Sequence, residues 1–129
     1  MIRFLSYSET IELYDNVIAK FGGLKGIRDK KLLESALAYP KLQHSIGQEK
    51  DIFALAASYA FHIINNHPFT DGNKRIGILA MLTFLRINNI HYRCSHNDLY
   101  DLAIKIASSQ IAEDEIATTL KEIQALKAN

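Results

Sequence analysis

Apolar residues recur mostly at intervals of three and four along this chain, the spacing that gathers side chains on one helical face. The pattern predicts an all-α protein. Ser8 is the expected cap of a first helix that would bury Ile11, Tyr14, Val17, Ile18 and Phe21, with "FGG" at Phe21 to Gly23 as its glycine stop. Asp29 is the natural cap of a second helix carrying Leu32, Leu33, Ala36 and Leu37. Pro40 is expected to end that helix, because proline biases the residue before it away from helical geometry, and residues 41 to 50 read as irregular or weakly helical.

Asp51 opens "DIFALAASYAFHIINN", whose apolar residues go almost all the way round, as in a central helix buried on most sides. Pro68 should stop it at about Asn66 and leave His67 at its lip. From Asn73 a further helix runs through "KRIGILAMLTFLRINN", with Ile76, Leu79, Ala80, Leu82 and Phe84 available to the core. "IHYR", Ile90 to Arg93, is β-prone and can pair with the N-terminal "IRFL" as a minor ribbon. His96 to Asp98 start another helix through about Ser108, and Glu113 and Asp114 favour one more first turn through the helix dipole.

The stretch "HPFTDGNKR", His67 to Arg75, interrupts this pattern with polar residues between two apolar helices. A helix start leaves its first amides unpaired and carries partial positive charge, so Gly72, Asn73 and Lys74 stand where an anion binds. Gly72 permits the close approach and backbone conformation of an anion-binding nest, while Lys74 and Arg75 add charges suited to phosphate. Asp71 is a hard oxygen ligand of the kind that holds Mg²⁺ when phosphates supply the other ligands. Histidine ordinarily titrates near neutrality, and His67 could accept a proton from an attacking hydroxyl.

Taken singly, these are common residues: Asp71 and Asn73 suit turns and caps, Gly72 a sharp bend, His67 a polar helix end. Their co-occurrence in one loop points to a site. Phe69, an aromatic in a polar loop, is expected to turn inward as an anchor, and Pro68 to place His67. His62 lies in an apolar helix and reads as an interior histidine, while His44, His91 and His96 lack ligand-like spacing.

Length and charge narrow the classes. The chain has 129 residues, suited to one domain over 1–129. Such a domain buries roughly 65 to 70% of its unfolded surface. Fifteen Lys and Arg against fourteen Asp and Glu leave a net charge of +1, no footprint for wrapping a duplex, so direct nucleic-acid binding is not expected. Cys94 is the single cysteine, which excludes an internal disulfide or a cysteine-based zinc site and suits a cytoplasmic setting. No run approaches the ~20 apolar residues of a membrane span, and neither export nor membrane insertion is indicated. A metal-dependent nuclease would want a second carboxylate or histidine at ligand spacing, which the loop lacks.

"HPFTDGNKRIGI" resembles the signature of the Fic/Doc superfamily. In AMP-transferring Fic members it runs H-P-F-x-[D/E]-G-N-G-R-x-x-R, and this chain departs at Lys74, where Fic enzymes have glycine, and at Ile78, where they have a second arginine. Both departures resemble the shorter death-on-curing (Doc) toxins, whose motif reads H-x-F-x-[D/N]-[A/G]-N-K-R. "FGGLKGIRDKKLLESAL" and "LTFLRINNI" are also similar to the Doc segments flanking the motif.

The resemblance implies a compact core of about six helices, with the site between the fourth and fifth. It implies His67 as general base, Phe69 as core anchor, Asp71 as the Mg²⁺-associated carboxylate, Gly72, Asn73 and Lys74 as the phosphate-binding turn, and Arg75 as a phosphate contact. By it, ATP is the co-substrate. Doc toxins transfer the γ-phosphoryl group to a threonine of translation elongation factor Tu and arrest growth, and a Phd-type antitoxin neutralises them by folding its C-terminal segment against the toxin. The alternatives are a Fic-like AMP transferase and a non-catalytic binding module of the same fold. No inhibitory [S/T]-x-x-x-E-[G/N] motif occurs; the nearest, Ser109 to Glu113, is followed by Asp114.

Overall fold

The computed structural model describes residues 1–128, one residue short of the expected domain end at Asn129. Six helices follow in order: α1 (Tyr7–Phe21), α2 (Lys30–Ser45), α3 (Ile52–Asn66), α4 (Asn73–Ile87), α5 (His96–Ala107) and α6 (Glu113–Ala128). Helix α3 is the axle of the fold. It buries Leu55, Ala56, Ala57, Ser58, Tyr59, Ala60, Ile63 and Ile64 and packs on α2, α4, α5 and α6. A helix apolar on nearly every side can lose contact with water only by being surrounded.

The caps explain most of the boundaries. Asp29, Asp51 and Ser95 accept main-chain N–H groups of Leu32, Phe53 and Asp98 respectively, satisfying donors that each helix start leaves orphaned. Helix α1 begins two residues earlier than a Ser8 cap requires: Ser6 accepts from Glu9 N–H, and the Glu9 side chain accepts from Ser6 N–H, a reciprocal capping box.

Pro40 does not end α2; it lies buried inside it. Its missing N–H leaves the Ala36 carbonyl without the usual helical donor, but the next turn is held from outside. Ile46 and Gly47 N–H donate to the Leu42 carbonyl, Glu49 N–H donates to Gln43, and the Gln43 side chain donates to Glu113 on α6 at 2.6 Å. With α2 unbroken, the polar loop joins the third and fourth helices rather than the fourth and fifth.

The expected ribbon between the N-terminus and Ile90 to Arg93 does not form. The main-chain N–H and C=O of Arg3 bond to the side-chain amide of Asn88, both at 2.9 Å, and Ile90 N–H closes the end of α4 on Leu85. Among the described residues the β-type pairing is one isolated antiparallel bridge, Ile27 with Phe69. No helix of the described residues is long and apolar enough to cross a membrane.

Helices α3 and α4 approach closely because α4 carries Gly77, where an added Cβ would come within 2.7 Å of Ile64 Cγ1. On the far side of α3, His62 stacks on Tyr39 of α2 at 3.7 Å, and its Nε2 lies 3.0 Å from Glu113 Oε1. The ring N–H is not aimed straight along that line, so the contact is an ion-pair distance first. These contacts tie α2, α3 and α6 together away from the polar loop.

Candidate active site

The loop from His67 to Gly72 spans the end of α3 and the start of α4, so the two best-packed helices fix both its ends. Pro68 stops α3, and His67 takes a left-handed conformation (φ 51°) as its C-cap, with its N–H on the Ile63 carbonyl. The turn throws the exposed His67 side chain to the rim of a cavity. Its ring has no hydrogen-bond partner among the described residues.

Asn73 closes the loop from inside. Its buried side chain accepts Phe69 N–H at 3.0 Å and donates to the Phe69 carbonyl at 2.9 Å. Phe69 itself is fully buried, stacked on Tyr14 with ring centroids 3.9 Å apart. The Asn73 side chain is thus engaged inward, and only its main-chain N–H is available to a ligand.

Helix α4 starts without a side-chain cap, because Gly72 (φ 83°) stands at the N-cap. Among the described residues the amides of Asn73, Lys74 and Arg75 have no acceptor, and the first intrahelical bond is Ile76 N–H to Gly72. Unpaired amides, the positive end of the helix dipole and two exposed cations, Lys74 and Arg75, make this an anion cradle.

The segment between α1 and α2 clamps the loop, a contribution that the polar motif alone does not reveal. Arg28 and Asp29 N–H donate to the Pro68 carbonyl, and Thr70 N–H donates to Gly26. The Arg28 guanidinium donates to the carbonyls of His67 at 2.7 Å and Asn66 at 3.0 Å, a cation at the negative end of α3. Tyr14 OH receives Gly26 N–H at 2.9 Å and so fixes the segment to α1.

That segment also sets Asp71. Leu24 N–H donates to Asp71 Oδ2 at 3.2 Å, and Gly72 N–H to Oδ1 at 2.9 Å. A side chain at Gly23 would place its Cβ 2.8 Å from the same Oδ2, so the carboxylate sits where only glycine leaves room. Asp71 as a whole is exposed. Among the described residues no cluster of three or more His, Cys, Asp or Glu could hold a metal alone. A cation here would rest on Asp71 and on oxygens brought by a phosphate ligand, an arrangement that suits Mg²⁺.

The cavity beside these groups has a volume of about 660 Å³. His67, Thr70 and Asp71 to Arg75 are part of its lining. Its wall is apolar, from Val17, Ile64, Ile78, Leu79 and Leu82, and α5 closes it with His96, Leu99, Tyr100, Ala103 and Ile104. Phe21, expected in the core, is 54% exposed at the cavity edge with Arg75 over its ring. The α5 residues carry no local motif; their spacing of three and four is that of any amphipathic helix. Ile78, at the position of the second Fic arginine, is a buried part of the wall.

Residues 4–85 match the sequence profile of the Fic/DOC family. The chain is 30% identical over 122 residues to "Protein kinase doc" of Escherichia phage P1, covering 95% of this chain and 96% of that protein. It is 31% identical over 103 residues to "Toxin Doc" of Mycolicibacterium smegmatis (strain ATCC 700084 / mc(2)155), covering 78% and 79%.

Proposed function

We propose that this chain, which belongs to the Fic/Doc family, acts as a Doc-like toxin kinase that transfers the γ-phosphoryl group of ATP to a Ser or Thr hydroxyl of a protein. The observation that carries the reading is the juxtaposition along the cavity lining: a histidine ring free of partners among the described residues, a helix start without a side-chain cap but with two cations, and a carboxylate set by Leu24 N–H. The target hydroxyl oxygen bonds to the γ-phosphorus as the bond to the β,γ-bridging oxygen breaks and ADP departs. His67 takes the hydroxyl proton.

Charge on the transferring phosphoryl oxygens is met by the amides of Asn73 to Arg75, fixed by the helix start before the reaction begins, and by the Lys74 and Arg75 side chains. Asp71 would hold Mg²⁺, which when bound neutralises phosphate charge. Lys74 adds a cation where AMP-transferring relatives need glycine, and Ile78 removes the second arginine; both features favour phosphoryl over AMP transfer.

The partner surfaces follow from the same cavity. Tyr100 and Ile104, one turn apart on α5, are 62% and 38% exposed beside Leu79 and Leu82. An apolar strip of this kind suits an amphipathic helix, the contact a Phd-type antitoxin would make. Elongation factor Tu as target, arrest of translation and a cytoplasmic setting complete the reading.

Purified protein incubated with Mg²⁺, ATP and bacterial lysate, followed by intact and peptide mass spectrometry, tests it. A phosphate on a target Ser or Thr supports the kinase. Addition of AMP would replace it with a transferase, and cleavage of nucleic acid without protein modification would revive the nuclease.

A further inference from the structure

Phe21 ends the apolar stripe of α1, yet half of it faces water. Its ring has a specific neighbour: the Arg75 guanidinium carbon lies 4.2 Å from the ring centroid, with Lys20 Nζ farther off at 5.4 Å. Among the described residues Arg75 makes no ion pair with a carboxylate. Gly22 (φ 81°), whose N–H bonds to the Ile18 carbonyl at 2.8 Å, fixes the helix end from which the ring projects.

We infer that Phe21 is a positioning residue for phosphate recognition, a shelf on which the Arg75 guanidinium lies so that its N–H edge is presented to phosphate oxygens in the cavity. A guanidinium is planar and weakly hydrated on its faces, with its five donors in the plane. Stacking occupies a face and leaves the donors free, whereas a carboxylate partner would consume them. An arginine already ordered on a ring loses less rotamer freedom when the anion arrives.

The same helix end continues through Gly23 to Leu24, whose N–H holds Asp71. The end of α1 therefore supports both charge types at the site: the cation through a ring face and the carboxylate through an amide. The inference rests on the proposed function only in reading this cavity as a seat for phosphates, and adds how Arg75 is held for them.

The test uses the whole chain with Phe21→Leu, Phe21→Trp, Arg75→Ala and the Phe21→Leu/Arg75→Ala pair, each checked for an unchanged melting transition. Without ligand, NMR of the Arg75 Nε–Hε group should show an ordered, ring-current-shifted signal in the parent and in Phe21→Trp, and a mobile one in Phe21→Leu. Calorimetry with ATP and with inorganic tripolyphosphate should show binding weakened about two- to fivefold by Phe21→Leu, as expected for a half-exposed cation–π contact, and restored by Phe21→Trp. In the Arg75→Ala background Phe21→Leu should change nothing further.

An Arg75 signal equally ordered in Phe21→Leu, or additive effects in the pair, overturns the inference and leaves the kinase reading intact. Binding of tripolyphosphate with this Phe21 dependence, but none of ATP, upholds the inference and sinks the nucleotide reading. Binding of neither sinks both.

Discussion

Asn73 holds Phe69 at both of its main-chain polar groups, accepting the N–H at Oδ1 and donating to the carbonyl from Nδ2. The first residue of α4 thereby fixes the loop that precedes it, with the Phe69 ring packed on Tyr14 beneath. Asn73→Ala leaves a buried donor and a buried acceptor without partners, which should lower stability by about 2 to 4 kcal/mol. Urea unfolding measures this, and an unchanged midpoint would show that the loop is held by other contacts.

Gly77 is the second point on which the geometry depends. A methyl there must displace Ile64, 2.7 Å from the added carbon, in a core that fixes both ends of the active loop. Gly77→Ala should cost about 1 to 3 kcal/mol through overpacking, despite alanine's better helix propensity. A gain in stability on thermal or urea unfolding would mean that the two helices slide apart without strain.

Caps and periodicity made the helices legible: Asp29, Asp51 and the Pro68 stop all fall where sequence spacing puts them. The misses share one cause, tertiary contacts that override local preference. Pro40 stays in α2 because α6 and the following turn hold the far side, and the Arg3 main chain prefers the Asn88 amide to a strand partner. Around the site, the local motif announced His67 and Asp71 to Arg75. It could not announce the Leu24 amide, Arg28 or the α5 wall, which reach the cavity only through packing between distant segments. "SYSE" was readable as a Ser6 to Glu9 capping box, a local signal that a Ser8 cap overlooks.

The left-handed backbone of His67 decides which substitution tests it cleanly. At φ 51° asparagine is among the best tolerated residues, so His67→Asn keeps the turn while removing the proposed base. Phosphoryl transfer should fall by roughly a hundred- to ten-thousandfold, with the unfolding midpoint little changed. Full activity in a radiolabel transfer assay would remove His67 from the chemistry.

Acid should loosen the opposite end of the molecule. Burial alone would raise the Glu113 carboxyl, but its contacts with His62 and Gln43 outweigh that and hold it below the ordinary glutamate value of 4.5. Asp51 is lowered likewise: burial opposes, while Lys121 and the amides it caps prevail. A carboxyl lowered by folding contributes stability that is complete above its ordinary value and is lost as pH falls through the lowered one. Glu113→Gln should therefore be less stable near neutrality and show a shallower loss below pH 4.5, read from urea midpoints across that range. Parallel curves for parent and variant would mean that the Glu113 charge does not anchor α6.

Lys74 bears on the choice between phosphate and AMP as the group transferred. It is exposed on the first turn of α4, one position after the Asn73 that locks the loop, so replacing it should alter ligand orientation without loosening the turn. If its charge holds the γ-phosphate end, Lys74→Gly should lower phosphoryl transfer roughly ten- to hundredfold, the worth of one charge-assisted hydrogen bond. Adding Ile78→Arg restores the second arginine from a position already in the cavity wall, and the double variant should begin to attach AMP to protein. Mass spectrometry separates the two products by mass. Undiminished phosphate transfer in Lys74→Gly would place the choice of transferred group elsewhere in the cavity.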